Sequence, residues 1–161
     1  EENMNITVIS VGKIKEKYFT AAIDEYSKRL SRFAKLNIIE VADEKIPDNA
    51  SEKEMEQIKE KEGNKILAKL PQNSFVVTLC IEGKEHSSEE LAKKIADISM
   101  TSSHITFIIG GSLGLSNTVK SKSALRLSFG KMTLPHQLMR VVLLEQIYRA
   151  FKINNNESYH K

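Results

Sequence analysis

The last third of the chain, residues 105–153, constrains the fold more than any other stretch. One apolar run there ends at Gly110, and a second, shorter one ends at Gly130. The carboxyl ends of neighbouring parallel strands share one edge of a sheet, so two strands that end side by side in glycine-bearing loops form a ligand crevice. The sequence therefore predicts a binding crevice between the loop that begins at Gly110 and the loop of residues 129–134.

A long apolar helix is predicted from about Pro135 to Ile153. Proline suits the first helical position, because its missing N–H would have no partner there. Apolar side chains cover most of the helix circumference, so one face can pack on the sheet while the rest needs another cover. A two-fold partner is the simplest cover, and we expect a homodimer. Arg140, Glu145 and Arg149 interrupt this surface, and a buried arginine requires a carboxylate or a phosphate.

Apolar runs and helical patterns alternate along the rest of the chain. This β-α-β-α-β-α-β-α-β-α order predicts an α/β fold with a mostly parallel sheet and helices on both faces. Two helix starts carry capping boxes, Ser51 with Glu54 and Ser87 with Glu90. Gly83 is expected to turn the chain after the third strand. The strands are expected near residues 5–11, 36–42, 75–81, 105–109 and 125–128, and the helices near residues 17–33, 51–70, 87–98, just after 116 and 135–153.

Length and composition bound the remaining possibilities. The 161 residues, with 40% apolar and 28% charged, predict one soluble globular domain over residues 4–161. Residues 1–3 precede Met4, which has the character of a natural start, so we expect them to be a cloning remnant. No apolar run approaches the length of a membrane span and no signal peptide is evident, so a cytoplasmic location is expected. Cys80, the single cysteine, is expected to be a buried structural thiol.

Several motifs leave alternatives open. The loop of residues 110–114 is neither a dinucleotide fingerprint nor a P-loop, so it either approaches a ligand or makes a plain tight turn. His136 is either a donor in the ligand site or a helix-capping residue, and its position favours capping. The polar tail, residues 157–161, taken alone favours a frayed terminus. No metal-binding, paired-carboxylate or hydrolase motif is present, and a net charge of +3 is compatible with RNA without requiring it.

Four blocks together resemble a known family: VISVGKIKEKY at residues 8–18, IIGGSLGL at 108–115, KMTLPHQLMRVVLLEQIYRAFKI at 131–153, and the terminal YHK. They are similar to the bacterial RlmH family, the small SPOUT-class methyltransferases that act on large-subunit ribosomal RNA. The resemblance runs from Met4 to Lys161. It implies a C-terminal trefoil knot, a homodimer, S-adenosylmethionine as cofactor, and N3-methylation of a pseudouridine in 23S rRNA on the assembled ribosome.

The resemblance also implies roles for individual residues. Tyr159 and His160 match positions of a composite catalytic site, while Arg149, Lys161 and Lys13 are expected to contact RNA. The cofactor contacts fall on Leu79, Gly110, Phe129, Gly130, Lys131, Met132, Thr133 and Leu134. Two departures from the family pattern are Gly130, where a serine is usual, and Leu113, where a polar residue is usual. The rival interpretation is a non-enzymatic nucleotide- or RNA-binding module of flavodoxin-like fold, which explains the loops and the mild basicity without the tail.

Overall fold

The computed structural model describes residues 4–160. Its strands are β1 (Met4–Val11), β2 (Ala34–Val41), β3 (Phe75–Glu85), β4 (His104–Ile109) and β5 (Leu125–Ser128), and its helices are α1 (Lys17–Leu30), α2 (Glu52–Lys69), α3 (Ser88–Ser99), α4 (Asn117–Ser121) and α5 (His136–Asn154). The predicted α/β class and the order of the elements are confirmed. Both capping boxes are formed as expected. The expectations for residues 1–3 and for Lys161 lie outside the described residues.

The sheet is parallel throughout, and helices cover both of its faces. Alternate residues of β1 point to opposite faces, as the pleat of a strand requires. Ile6 and Val8 pack with α1, α3 and α5 in one apolar cluster, whereas Ile9 and Val11 pack with α2 and α4 in the other. Among residues 4–160, no helix is both long and apolar enough to cross a membrane.

The strand order is β2-β1-β4-β3-β5. An unknotted flavodoxin-like sheet, the arrangement that pattern reasoning alone would favour, has the order 2-1-3-4-5. Here β4 lies next to β1, and β3 lies between β4 and the edge strand β5. The carboxyl ends of β4, β3 and β5 therefore stand side by side, which is the arrangement that the predicted crevice needs.

Three predicted features of the chain differ in the structure. Helix α1 ends at Leu30, not at Phe33, whose ring instead stacks on Phe151 with 5.6 Å between the ring centroids. Strand β2 begins at Ala34 rather than at residue 36. Gly83 does not end the third strand as expected, because it lies within β3, in an irregular segment where Leu79 and Lys84 both pair with Leu127 of β5. A Cβ added there would lie 2.7 Å from the carbonyl oxygen of Arg126 in β5, so a close backbone approach explains this glycine.

Candidate functional site

A cleft of about 660 Å³ opens at the carboxyl edge of β3, β4 and β5. The loop of residues 110–115 after β4 lines one side, and the loop of residues 129–134 before α5 lines another. Leu79, Leu127 and Met139 add apolar surface between the two loops. This volume is typical of sites for small molecules and cofactors. The crevice predicted between the two glycine loops is therefore present.

The first loop folds tightly back on itself. The Gly114 N–H donates to the Gly111 carbonyl at 3.0 Å, and the two residues form an isolated antiparallel bridge. A Cβ added at Gly110 would lie 2.7 Å from the carbonyl carbon of Gly114, closer than real Cβ atoms approach other atoms. The loop thus makes the tight turn that one alternative predicted, and it also lines the cleft; its approach to a ligand stays a prediction.

The second loop depends on a glycine for a different reason. Gly130 has φ +121°, a conformation that residues with a side chain rarely adopt, and an added Cβ would meet no atom within 4 Å. Its N–H donates to the Ser128 hydroxyl at 3.1 Å. A serine at this position would therefore have room but would strain the backbone. Glycine lets the loop keep a conformation that serine would resist.

His136 lies in the cleft rather than capping the helix. It is the first residue of α5, where Pro135 holds the capping position without a side-chain hydrogen bond, so the capping role that its position favoured was wrong. The pKa of His136 lies below its ordinary value, first because the ring is buried and second because Arg140 is near, with Asp43 opposing. The imidazole is therefore neutral at physiological pH and can donate one hydrogen bond and accept another.

Cys80 also lines the cleft and is half-buried, not fully buried as expected. Burial raises the pKa of its thiol, so the sulfur stays protonated and weakly reactive at neutral pH. A charged pair stands beside it, since the Lys120 ammonium lies 2.5 Å from a carboxylate oxygen of Glu82. The cleft thus combines apolar strand ends with a few polar groups, the usual composition of a cofactor site.

The structure brings most of the expected cofactor contacts together. Leu79, Gly110, Phe129, Gly130, Met132, Thr133 and Leu134 all line the cleft. Lys131 is exposed and does not line it. Sequence reasoning missed Leu127 and Met139. Leu127 could have been found as the last apolar residue of its strand before the glycine loop, and Met139 as the residue one helical turn after His136 on the same face.

The C-terminal tail packs back along α5 in an ordered network, which we call the tail cluster: Glu89, Glu145, Arg149, Tyr159 and His160. The Tyr159 hydroxyl donates to Glu145 at 2.8 Å, and the Arg149 Nε–H donates to the same carboxylate at 2.7 Å. The Arg149 guanidinium lies 4.7 Å from the centroid of the Tyr159 ring. The frayed terminus that the tail alone favoured was therefore wrong.

The protonation states within the tail cluster follow from its contacts. Arg149 can only donate, so its contact of 3.2 Å with His160 Nδ1 makes that nitrogen an acceptor. The proton of a neutral ring then lies on Nε2, which donates to Glu89 at 2.5 Å. Burial and the hydrogen bond to Glu145 raise the pKa of Tyr159 to about 12. The phenol is thus a hydrogen-bond donor at neutral pH and cannot serve there as a base.

The tail cluster and the cleft occupy different parts of α5. Met139 is the last α5 residue that lines the cleft, whereas the cluster uses Glu145 and Arg149. At 1.5 Å of rise per residue, these two lie about 9 and 15 Å further along the helix axis. Neither Tyr159 nor His160 lines the cleft of its own chain. Lys13, the remaining described residue expected to contact RNA, is exposed between β1 and α1.

Arg140 has the carboxylate partner that its burial requires. The side chain is 3% exposed, and its Nη1 lies 2.6 Å from Oε2 of Glu40. Its Nη2 donates to the carbonyl oxygens of Val11 at 2.9 Å and Gly12 at 2.8 Å. The sequence indicated that Arg140 needs a partner but could not name one that lies a hundred positions away.

A family described as "Predicted SPOUT methyltransferase" matches residues 4–160. The chain belongs to the SPOUT methyltransferases. It is 62% identical over 159 residues to the ribosomal RNA large subunit methyltransferase H of Clostridium novyi and 60% identical to that of Clostridioides difficile, in each case covering 98% of this chain and 100% of the relative. The resemblance to the RlmH family is confirmed, and this SPOUT chain is an enzyme. The non-enzymatic alternative is therefore set aside.

Two solved structures share the SPOUT fold at low identity. A Haemophilus influenzae protein described as a "probable methylase family protein" superposes with a TM-score of 0.53 and 15% identity, over 99% of this chain and 71% of that one. A Legionella pneumophila protein described as a "putative methyltransferase", solved with the bound cofactor SAM, gives a TM-score of 0.50 and 12% identity, over 92% of this chain and 66% of that one. At such identities the likeness establishes the fold alone.

Proposed function

We propose that this SPOUT methyltransferase transfers the methyl group of S-adenosylmethionine to N3 of a pseudouridine in 23S rRNA on the assembled ribosome. The observation that carries the proposal is the cleft between the two glycine loops at the carboxyl edge of the sheet. The names of the RlmH relatives support large-subunit rRNA as the substrate class. A cytoplasmic location, where ribosomes are found, and the trefoil knot of the family belong to the same proposal.

The residues of the cleft fit S-adenosylmethionine. Apolar side chains at the strand ends, Leu79 and Leu127, would hold the adenine, and Leu134 would add to that surface. The backbone polar groups of residues 110–115 and 129–134 would bind the ribose and the amino-acid part. When bound, the cofactor supplies a methyl group on a positively charged sulfur. The protein has to hold the accepting nitrogen in line with that methyl group.

The tail cluster supplies groups that suit the remaining chemistry. N3 of a pseudouridine is a poor nucleophile until it loses its proton, and the anion that results needs donors and positive charge nearby. Tyr159 holds its proton and can donate, while Arg149 carries a fixed charge. His160 is the candidate base, since its Nδ1 lone pair becomes available when the contact with Arg149 opens. We assign His160 and Tyr159 the catalytic roles, and Arg149 and Lys161 contacts with RNA.

The separation of the tail cluster from the cleft favours a two-fold dimer. A tail that lies about 9 to 15 Å along α5 from its own cleft does not complete that cleft, but it can complete the cleft of a partner. Leu138, Val141 and Val142 of α5 are only half-buried, and Met132 and Leu134 just before the helix are exposed. A second copy of the chain would cover this apolar strip.

Single-turnover methylation tests this function. Ribosomes that lack the modification are mixed with the wild-type enzyme, with an enzyme lacking residues 159–161, and with His160→Ala. We expect truncation to lower the methylation rate at least about a hundredfold, the low end for losing an acid–base or electrostatic group. The rate of His160→Ala should fall between the other two.

Binding measurements complete the test. Calorimetry should give the truncated enzyme and wild type the same affinity for S-adenosylmethionine, and neither should bind FMN or ATP comparably. Full activity after truncation would show that the tail has no catalytic part. Absence of S-adenosylmethionine binding by the wild-type enzyme would overturn the cofactor assignment.

A further inference from the structure

We propose that residues 13–18, between β1 and α1, form a preformed RNA-contact surface beside the cleft, held in place by Arg140 and Glu40. This inference rests on the proposed function and deepens it, because it assigns a stacking residue and two positioning residues to the substrate. The surface pairs three lysines with one exposed aromatic ring: Lys13, Lys15, Lys17 and Tyr18.

The surface begins at the same edge of the sheet as the cleft. A Cβ added at Gly111, in the loop that lines the cleft, would lie 3.1 Å from Cγ1 of Val11 at the end of β1. A Cβ added at Gly12 would lie 3.9 Å from Nε2 of His136, which also lines the cleft. A ribosomal RNA loop whose target base enters the cleft would therefore pass close to the segment that follows Gly12.

Arg140 and Glu40 fix the backbone from which this segment starts. The Arg140 guanidinium donates to the carbonyl oxygens of Val11 and Gly12, and Glu40 accepts the Ile14 N–H at 3.0 Å. Arg140 and Glu40 also bind each other at 2.6 Å. Burial lowers the pKa of Arg140 while Glu40 opposes that shift, so the guanidinium stays charged. Three backbone groups around Lys13 are thus held by charge-assisted hydrogen bonds, which are stronger than neutral ones.

The side chains on this fixed backbone face solvent. Lys13, Lys15 and Lys17 are exposed, and no salt bridge within residues 4–160 engages any of them. Tyr18 is 67% exposed, and its ring is tilted against Phe19 with 4.6 Å between the centroids. A large aromatic ring supported from one side and open to water is an unusual surface feature that favours a stacking partner.

The chemistry of this surface matches unpaired RNA. Lysines bind the phosphates of an RNA strand whatever its sequence, and an exposed tyrosine stacks on an unpaired base. Proteins bind RNA loops through both kinds of contact. An acidic protein partner would use the lysines but would not require the open ring. Holding the backbone in advance lowers the entropy cost of binding, and this is the role we assign to the pair of buried Arg140 and exposed Glu40 beside the segment.

The test compares ribosome methylation by variants of the full chain. One variant replaces Lys13, Lys15 and Lys17 by alanine. Its matched control replaces three exposed lysines at the opposite, amino edge of the sheet: Lys35, Lys69 and Lys122. Further variants are Tyr18→Ala, Tyr18→Phe and Glu40→Gln. The Michaelis constant for ribosomes, kcat, the salt dependence of the Michaelis constant and the affinity for S-adenosylmethionine are measured for each.

The three kinds of contact give different results. Removing the three lysines should raise the Michaelis constant at least about tenfold. It should also lower the slope of the logarithm of the Michaelis constant against the logarithm of the salt concentration by up to about 2, since each contact with a single-strand phosphate contributes about 0.7 to that slope. Tyr18→Ala should raise the Michaelis constant about fivefold or more with the salt dependence intact, and Tyr18→Phe should match wild type. Glu40→Gln should raise the Michaelis constant for ribosomes, and its Ile14 amide should exchange hydrogen faster than the same amide in wild type. Cofactor affinity and kcat should stay unchanged throughout.

Two results would overturn the inference. A lysine variant that behaves like its control would show that only total charge matters. Variants of Tyr18 and the lysines that all match an active wild type would show that the RNA does not touch this segment, and the proposed function would stand. A wild-type enzyme that does not methylate ribosomes would instead overturn the proposed function itself.

Discussion

Replacing Gly110 by alanine should weaken cofactor binding by displacing the loop that lines the cleft. The added Cβ would lie 2.7 Å from the Gly114 carbonyl carbon and 3.0 Å from the Leu115 nitrogen, both of them backbone atoms that no side-chain rotation can move away. Carbon atoms in contact settle at about 3.5 to 4.0 Å, so the loop has to open by about 0.8 to 1.3 Å. Such overpacking costs about 1 to 3 kcal/mol of the free energy of unfolding.

The expected consequence is a drop in affinity for S-adenosylmethionine of at least about tenfold, because about 1 Å of displacement misaligns the backbone groups that would bind it. Calorimetry measures the affinity, and urea unfolding measures the stability. Ile95→Val is the control, since Ile95 is a buried residue of α3 that does not line the cleft. It should cost about 0.5 to 1.5 kcal/mol and leave affinity unchanged. Wild-type affinity in a destabilised Gly110→Ala protein would refute the placement of the cofactor.

Further predictions concern the dimer, the tail and the thiol. Val141→Glu should convert the dimer to a monomer, as measured by light scattering. The control Met100→Glu changes a residue that follows α3 and is 83% exposed, and it should leave the dimer intact. A wild-type protein that is monomeric at micromolar concentration would exclude the dimer. Burial and the hydrogen bond to Glu145 raise the pKa of Tyr159 from 10.0 to about 12, so the protonated phenol stabilises the fold below about pH 10 and this stabilisation is lost as the pH rises towards 12. Urea unfolding at about pH 9 should therefore give wild type a larger free energy of unfolding than Tyr159→Phe, and this difference should shrink at about pH 11. Equal free energies of unfolding at both pH values would contradict the assigned contact. Because the pKa of its thiol is raised, Cys80 should react with iodoacetamide more slowly than a free thiol at pH 8. Adding S-adenosylmethionine should slow this alkylation further. Rapid alkylation that the cofactor does not slow would place the thiol outside the cofactor site.

Local features of the sequence predicted the elements well. Helix starts such as Ser51 with Glu54 depend on residues three positions apart, and buried strands depend on short apolar runs, so both are readable without tertiary contacts. The order of the strands depends on which distant segments pack together, and no local pattern places β4 next to β1. The role of Gly83 was missed for the same reason, because the strand that approaches it closely lies far along the chain.

The candidate site likewise has one part that the sequence predicted and one part that it did not. The cleft could be predicted because a glycine after a strand marks a loop at the sheet edge. The tail cluster could not, because it requires the chain to reverse after α5. The reversal uses Asn156 at φ 54°, with the Glu157 N–H bound to the Lys152 carbonyl. Tyr159 then meets Glu145 through a contact that spacing alone does not suggest.

The most direct test of the proposed function is mass spectrometry of 23S rRNA nucleosides after ribosomes from cells lacking the modification are incubated with the enzyme and isotope-labelled S-adenosylmethionine. We expect one labelled methyl group per ribosome, on N3 of a pseudouridine in 23S rRNA, and none without the enzyme. Label on another nucleoside, or no label while the same preparation binds S-adenosylmethionine, would contradict the assigned reaction.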